Sequence, residues 1–226
     1  NLLIHLGNTA LIGALAQCLC VAMSEQQAVT LKPKWVQQIA GWMVAALWAL
    51  HPLNLTSVLY VVQRMTSLSA LFGLAALLIY AAYRTRTFAR INLRHAGALG
   101  VGAGVAVLLC LALSALSKES GLLFAPLILW IEICVFGLQI GGKPGRVFGL
   151  DLRRGTLALV GVAVSYVAVF KLPAMLGAGA FATRDFTLTE RGMTESRVLL
   201  FYLRMLVLPR NAELSLSRTC SPPPPS

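Results

Sequence analysis

The chain has 226 residues, 58% of them hydrophobic and only 12% charged, with a net charge of +11 and a mean hydropathy of +0.76. Soluble domains run at about 45–50% apolar and about 25% charged. These proportions exclude a disordered chain, a soluble enzyme with an ordinary surface and a nucleic-acid binder of the usual kind, which leaves a polytopic membrane protein if the apolar residues come in blocks.

The blocks are present. A spanning helix needs about 20 mostly apolar residues. Residues 2–23 carry no charge before Glu25. Residues 35–63 carry none before Arg64, and His51-Pro52 is expected to end the helix inside that run. Residues 65–83 and 96–117 are uncharged up to Arg84 and Lys118. Residues 120–142 hold only Glu132, and residues 155–176 hold only Lys171. The fold expected is therefore all-α, a transmembrane helical bundle of about six spans near 2–23, 35–52, 66–83, 96–117, 121–140 and 156–176. A further apolar run, 198–209, is short and interrupted by Arg204, which predicts an interfacial helix or a truncated span. The helical domain is expected over 1–214, and the Pro-rich residues 215–226 read as a disordered tail. The chain enters apolar sequence at once from Asn1, without a basic n-region, so it does not read as a signal peptide and an upstream portion is expected.

The connections alternate in charge. Lys32 and Lys34, then Arg84, Arg86, Arg90 and Arg94, then Lys143, Arg146, Arg153 and Arg154 place ten basic residues on one side. The opposite connections, near 52–65 and 118–120, hold only Arg64 and Lys118. The positive-inside rule puts the first set in the cytoplasm and the second set outside. Trp35, Trp42, Trp48, Tyr60, Tyr80 and Tyr83 fall near the expected interfaces. Ala98/Gly102 and Gly100/Gly104 are small-xxx-small pairs, suited first to packing inside the protein and second to dimerisation.

Several motifs fail. Cys18 and Cys20 point to opposite sides of a helix, and no Cys/His cluster exists, so neither a metal nor a cofactor site is expected. Gly141-Gly142-Lys143-Pro144 lacks the spacing of a phosphate loop and reads as a cytoplasmic turn. Asn54-Leu55-Thr56 matches a glycosylation sequon, a pattern common by chance.

Ionisable groups at membrane depth are candidates for function. His51, Gln63 and Arg64 gather around the first outer connection and Lys118-Glu119 around the second, with Glu132 and Lys171 inside spans. A structural role stands beside each: Lys171 can snorkel, Lys118-Glu119 can be a helix-end pair, Glu132 a packed carboxyl and His51 a cap. Arg64 faces an otherwise uncharged outer connection, and its expected partners are Glu119 or an anionic ligand. A guanidinium and an ammonium at one leaflet suit a phosphate.

The stretch His51-Pro52-Leu53-Asn54-Leu55-Thr56-Ser57-Val58-Leu59-Tyr60-Val61-Val62-Gln63-Arg64-Met65, followed by Leu68-Ser69-Ala70-Leu71-Phe72, resembles a signature of GT-C membrane glycosyltransferases. The nearest resemblance is to bacterial membrane tetratricopeptide-repeat proteins, and transmembrane tetratricopeptide O-mannosyltransferases and pilin-glycosylating enzymes look similar. Leu116-Ser117-Lys118-Glu119-Ser120-Gly121 with Pro126 and Glu132, the opening Asn1 to Leu11, and Thr189 to Arg210 resemble further family elements. The resemblance implies transfer of a sugar from a polyprenyl-phosphate donor to an acceptor, a protein or glycan, on the outer face of a bacterial inner membrane. Because negative charge develops on the departing phosphate, Arg64 and Lys118 are expected to hold it, with Glu119 orienting them, His51 and Gln63 at the rim, and Arg191 and Arg197 as outer-side alternates. The family's acidic residue sits in an earlier outer loop, which would lie upstream of Asn1, so the catalytic residue is not assigned. No 34-residue repeat period is visible. The alternatives are a transporter or flippase using Glu132 and Lys171, and a membrane scaffold without chemistry.

Overall fold

A computed structural model describes residues 1–26, 33–89, 96–140, 143–144, 146–147, 150–151 and 188–208. Helices dominate. They are α1 (Leu2–Gln26), α2 (Lys34–Ala49), α3 (Leu55–Leu59), α4 (Arg64–Ala89), α5 (Ala96–Ser117), α6 (Phe124–Ile131) and α7 (Leu188–Val207). Single 3-10 turns at Pro52–Asn54, Val61–Gln63 and Glu119–Leu123 lead into α3, α4 and α6. A π-helical turn, Glu132–Phe136, continues α6. Two pairs of two-residue antiparallel strands follow, β1 (Gln139–Ile140) with β2 (Lys143–Pro144) and β3 (Arg146–Val147) with β4 (Leu150–Asp151).

Among the described residues, four helices are long and apolar enough to cross a membrane: Leu2–Ser24, Val61–Arg86, Gly100–Ser117 and Glu119–Phe136. A fifth arises if Trp35–Ala49 and Pro52–Leu59, bent by 56°, count as one span. This is the pattern of a multi-pass integral membrane protein. The bend sits where His51-Pro52 predicts a break, because proline disfavours helix in the residue before it. The expected span 156–176, with Lys171, and the tail 215–226 lie outside the described residues.

Three boundaries differ from expectation. The fifth span, expected to reach residue 140, stops at Phe136, where Gly137 takes the left-handed conformation (φ 60°) and Leu138 follows (φ 55°). The Glu132 carbonyl accepts both the Gly137 and Leu138 amides, closing the helix end. Helix α4 runs past the expected stop at residue 83 to Ala89, which carries Arg84 into the helix rather than a loop. The interfacial run expected over 198–209 is the second half of the 20-residue α7. The charged residues before it stay helical because no proline interrupts them, and Gly192 alone costs only about 1 kcal/mol.

The chain divides into two compact units, Asn1–Leu50 with Thr56–Val162, and His51–Leu55 with Ala163–Ser226. In the first, α4 is the central helix and packs on α1, α5 and α6, while α2 packs on α1. Its buried apolar side chains are mostly small: Ala22, Ala45, Ala76 and Ala81 beside Leu77, Phe136 and Leu138. Large apolar groups such as Leu47, Val62, Leu116 and Trp130 are exposed. That inversion suits hydrocarbon surroundings, where close backbone approach holds helices together and burial from water does not. In the second unit, Met205 of α7 is fully buried, while Leu199, Leu200, Tyr202, Leu203 and Leu206 are exposed.

Two close approaches define the first unit. A β-carbon at Gly41 of α2 would lie 2.9 Å from the Gly13 carbonyl of α1. A β-carbon at Gly121 would fall on the Ser114 backbone, so the turn after α5 folds onto that helix only because position 121 has no side chain. Beside it, Ser69 and Ser114 bind each other's carbonyls across α4 and α5, at 2.9 and 2.7 Å. Gly121→Ala is expected to lower the unfolding midpoint in detergent, costing about 1–3 kcal/mol by overpacking. Gly102→Ala, where an added methyl meets nothing among the described residues, is expected to hold or raise it.

Candidate functional site

The polar residues at the Arg64 end of α4 are brought together by three chain segments. Arg64 opens α4, and its Nε donates to Asn1 Oδ1 at 3.2 Å. Asn1 Nδ2 in turn donates to the carbonyls of Tyr60 at 2.8 Å and Val58 at 3.2 Å. The start of α1 therefore braces the loop that delivers Arg64. Lys118 lies in the extended break between α5 and the turn Glu119–Leu123, with φ −161°. Its Nζ donates to Thr66 Oγ1 at 2.7 Å, in the first turn of α4.

Both cations are exposed and rest on neutral oxygens. Among the described residues, the expected pairing of Glu119 with Arg64 is not made, and Glu119 is exposed one residue beyond Lys118. Gln63 closes the 3-10 turn before Arg64, and its amide donates to the Tyr60 carbonyl at 3.2 Å. His51 belongs to the second unit. Its Nδ1 accepts the Leu53 amide at 3.3 Å, and its Nε2 lies 3.1 Å from the Leu206 carbonyl. This geometry requires the neutral tautomer with the proton on Nε2, donating to a carbonyl in the last turn of α7. His51 thus caps two elements with one ring. The structural role expected of it is present, in a form that reaches across 155 positions of sequence.

Just beneath this end the polar groups are buried. Asn8 is 2% exposed, and its Nδ2 donates to the Ser67 carbonyl at 3.0 Å. Among the described residues its Oδ1 has no hydrogen-bond partner. His5 stacks on Trp48 with ring centroids 5.0 Å apart, and its Nε2 lies 3.2 Å from the Ala49 carbonyl. Among the described residues, no three His, Cys, Asp or Glu side chains gather where they could hold a metal ion.

No protein-family model, no curated protein and no solved structure matches this chain.

The other end of α4 holds a cluster that the sequence reading treated as separate pieces. Arg84 Nε donates to Glu132 Oε2 at 2.9 Å, and the same guanidinium makes an ion pair with Oε1. The Tyr80 hydroxyl also donates to Oε2, and the Phe136 ring lies 5.1 Å from the guanidinium carbon. The two charged side chains are only 15% and 12% exposed. Tyr80 and Arg84 are four residues apart, one turn of helix, and so share a face. Two cues for this pairing lay in the sequence: Glu132 is the lone acid of its span, and Arg84 is the first cation past the neighbouring one. Removing one partner of a buried pair strands the other charge, while removing both does not. Glu132→Leu is expected to cost about 3 kcal/mol in unfolding measured in detergent. The double variant Glu132→Leu/Arg84→Met should recover most of that loss, and equal losses in the two variants would contradict a buried ion pair.

Proposed function

We propose that the chain forms part of an integral membrane glycosyltransferase, which moves a sugar from a polyprenyl-phosphate donor to an acceptor protein on the outer face of a bacterial inner membrane. One observation carries this reading. Arg64, which opens α4, and Lys118, in the break after α5, both lie at the first turn of α4 and rest on neutral partners. Their charge remains available to an anion. The resemblance of the His51 to Met65 stretch to GT-C enzymes supplies the chemical class of that anion.

The physics suits the substrate. The donor's hydrocarbon tail stays in the bilayer, and its phosphate rests at headgroup level. Sugar transfer breaks the bond between the anomeric carbon and the phosphate oxygen, so negative charge grows on the departing phosphate. Cations already fixed in place stabilise that charge without reorganising. Asn1 and Thr66 hold the two cations, Glu119 and Gln63 border them, and the phosphate site uses the first unit alone. The transporter alternative needs an intramembrane carboxylate that exchanges partners. Glu132 is instead held by Tyr80 and Arg84.

Transfer from a radiolabelled polyprenyl-phosphate sugar, assayed in membranes holding the full-length protein, tests the assignment. Arg64→Ala and Lys118→Ala are each expected to slow transfer about 10²-fold, the usual loss when one fixed stabiliser of developing negative charge is removed. Protein level and insertion should stay unchanged. Full activity in both variants would remove the two cations from the site.

A further inference from the structure

Of the two described histidines, His51 has both ring nitrogens engaged. The local sequence sets this up. Pro52 opens the 3-10 turn without an N–H, so the first amide that a capping side chain can reach is that of Leu53. His51 Nδ1 accepts that amide at 3.3 Å, while the His51 carbonyl accepts the Asn54 amide at 2.9 Å. On the far side of the ring, Nε2 lies 3.1 Å from the Leu206 carbonyl. Leu206 is in the last turn of α7, where carbonyls have no amide partner within the helix. One ring therefore joins the turn to α7, and both belong to the same compact unit.

The two bonds respond oppositely to a proton. Nδ1 accepts only while the ring is neutral, and once protonated it carries a hydrogen that faces the Leu53 N–H. Nε2 donates in both states, and its bond to a helix-terminal carbonyl strengthens when the ring is charged. The tie to the turn is thus made at high pH and lost as pH falls and the ring takes up a proton. His5 differs. Its Nε2 lies 3.2 Å from the Ala49 carbonyl, and among the described residues its Nδ1 accepts nothing, so a proton there breaks no bond. Charges around His51 are few. The last turn of α2, the turn Pro52–Asn54 and α3 carry none, and the last turn of α7 carries Arg204, which stays protonated. Among these groups the imidazole alone changes charge between about pH 5 and pH 8.

We propose that His51 is an acid-released latch: the neutral ring holds the Pro52–Asn54 turn to the last turn of α7, and protonation frees the turn while α7 keeps the ring. His51 is half-buried, so protons from solvent reach it. The turn runs directly into α3, and the carbonyls of Val58 in α3 and of Tyr60 just after it anchor Asn1 beside Arg64. The segment that leads to the exposed Arg64 is therefore the one that loosens in acid. The latch consists of bonds within the chain and does not depend on the sugar-transfer reading.

Amide hydrogen exchange of the full-length protein in phosphatidylcholine nanodiscs, read by mass spectrometry at both ends of that pH range, tests the latch. Rates are corrected for the pH dependence of exchange itself. On acidification, the peptide spanning the turn is expected to lose protection about fivefold, the factor that goes with one lost helix cap. The last turn of α7 should keep its protection. His51→Asn puts a side-chain oxygen that does not titrate at the same capping position, and should make the protection of the turn independent of pH. Wild-type protection of the turn that is the same at both ends of the range would overturn the proposal, whether or not His51→Asn folds. So would a loss on acidification that persists in His51→Asn, or an equal loss along the turn and α7, which marks general unfolding.

Discussion

A helix in hydrocarbon has no water to satisfy its side-chain donors and acceptors, so a group without a partner in the protein is costly. Helix α4 is where this constraint is met. Ser67 offers its carbonyl to Asn8, Ser69 locks with Ser114, Thr66 takes Lys118, Thr85 meets Cys18 at 3.5 Å, and Tyr80 and Arg84 hold Glu132. These bonds reach α1, α5, the turn after α5, and the π-helical turn after α6. The central position of α4 thus has a polar cause as well as a steric one. Small residues let the helices approach, and the polar pairs fix which faces meet.

The two ends of α4 handle charge differently. Arg64 and Arg84 are 20 positions apart, about 30 Å along the helix and close to the thickness of a bilayer's hydrocarbon core. At one end the guanidinium is shielded, neutralised by Glu132 and covered by Phe136. At the other, Arg64 and Lys118 are exposed and rest on an amide and a hydroxyl. A neutralised pair stabilises packing and attracts no ligand. Cations held by neutral oxygens keep their field, which is the property that a phosphate site requires.

How far the fold could be read in advance varied with the range of the interactions. The span starting near Leu2 and the ends at Ala49 and Ser117 follow from apolar run length and from His51-Pro52, both local signals. The stop at Phe136 was missed, because a left-handed Gly137-Leu138 pair leaves little trace in a run that stays apolar beyond it. Arg84 was counted with the loop cations for a related reason. Charge counting treats every cation past an apolar run as outside the membrane, and a cation that meets an acid from another helix escapes that rule. At the candidate site, Arg64 and Lys118 were legible as isolated charges on the uncharged side. Their anchors, Asn1 and Thr66, were not, since both are ordinary polar residues whose roles depend on contacts 63 and 52 positions away.

The sequence by itself determined the class of this protein, its helical character and the end of each apolar run where charge gathers. Those properties depend on composition and on spacing within about 20 residues, the length that crosses a bilayer. Only the tertiary structure decided which charges are paired. It joined Glu132 to Arg84 and left Glu119 apart from Arg64. It gave His51 to the end of α7 and set the Tyr83 hydroxyl against Gly100. These outcomes depend on which helix faces meet. Facing is set by close packing between segments far apart in the chain, where a shift of one residue turns a side chain by about 100°.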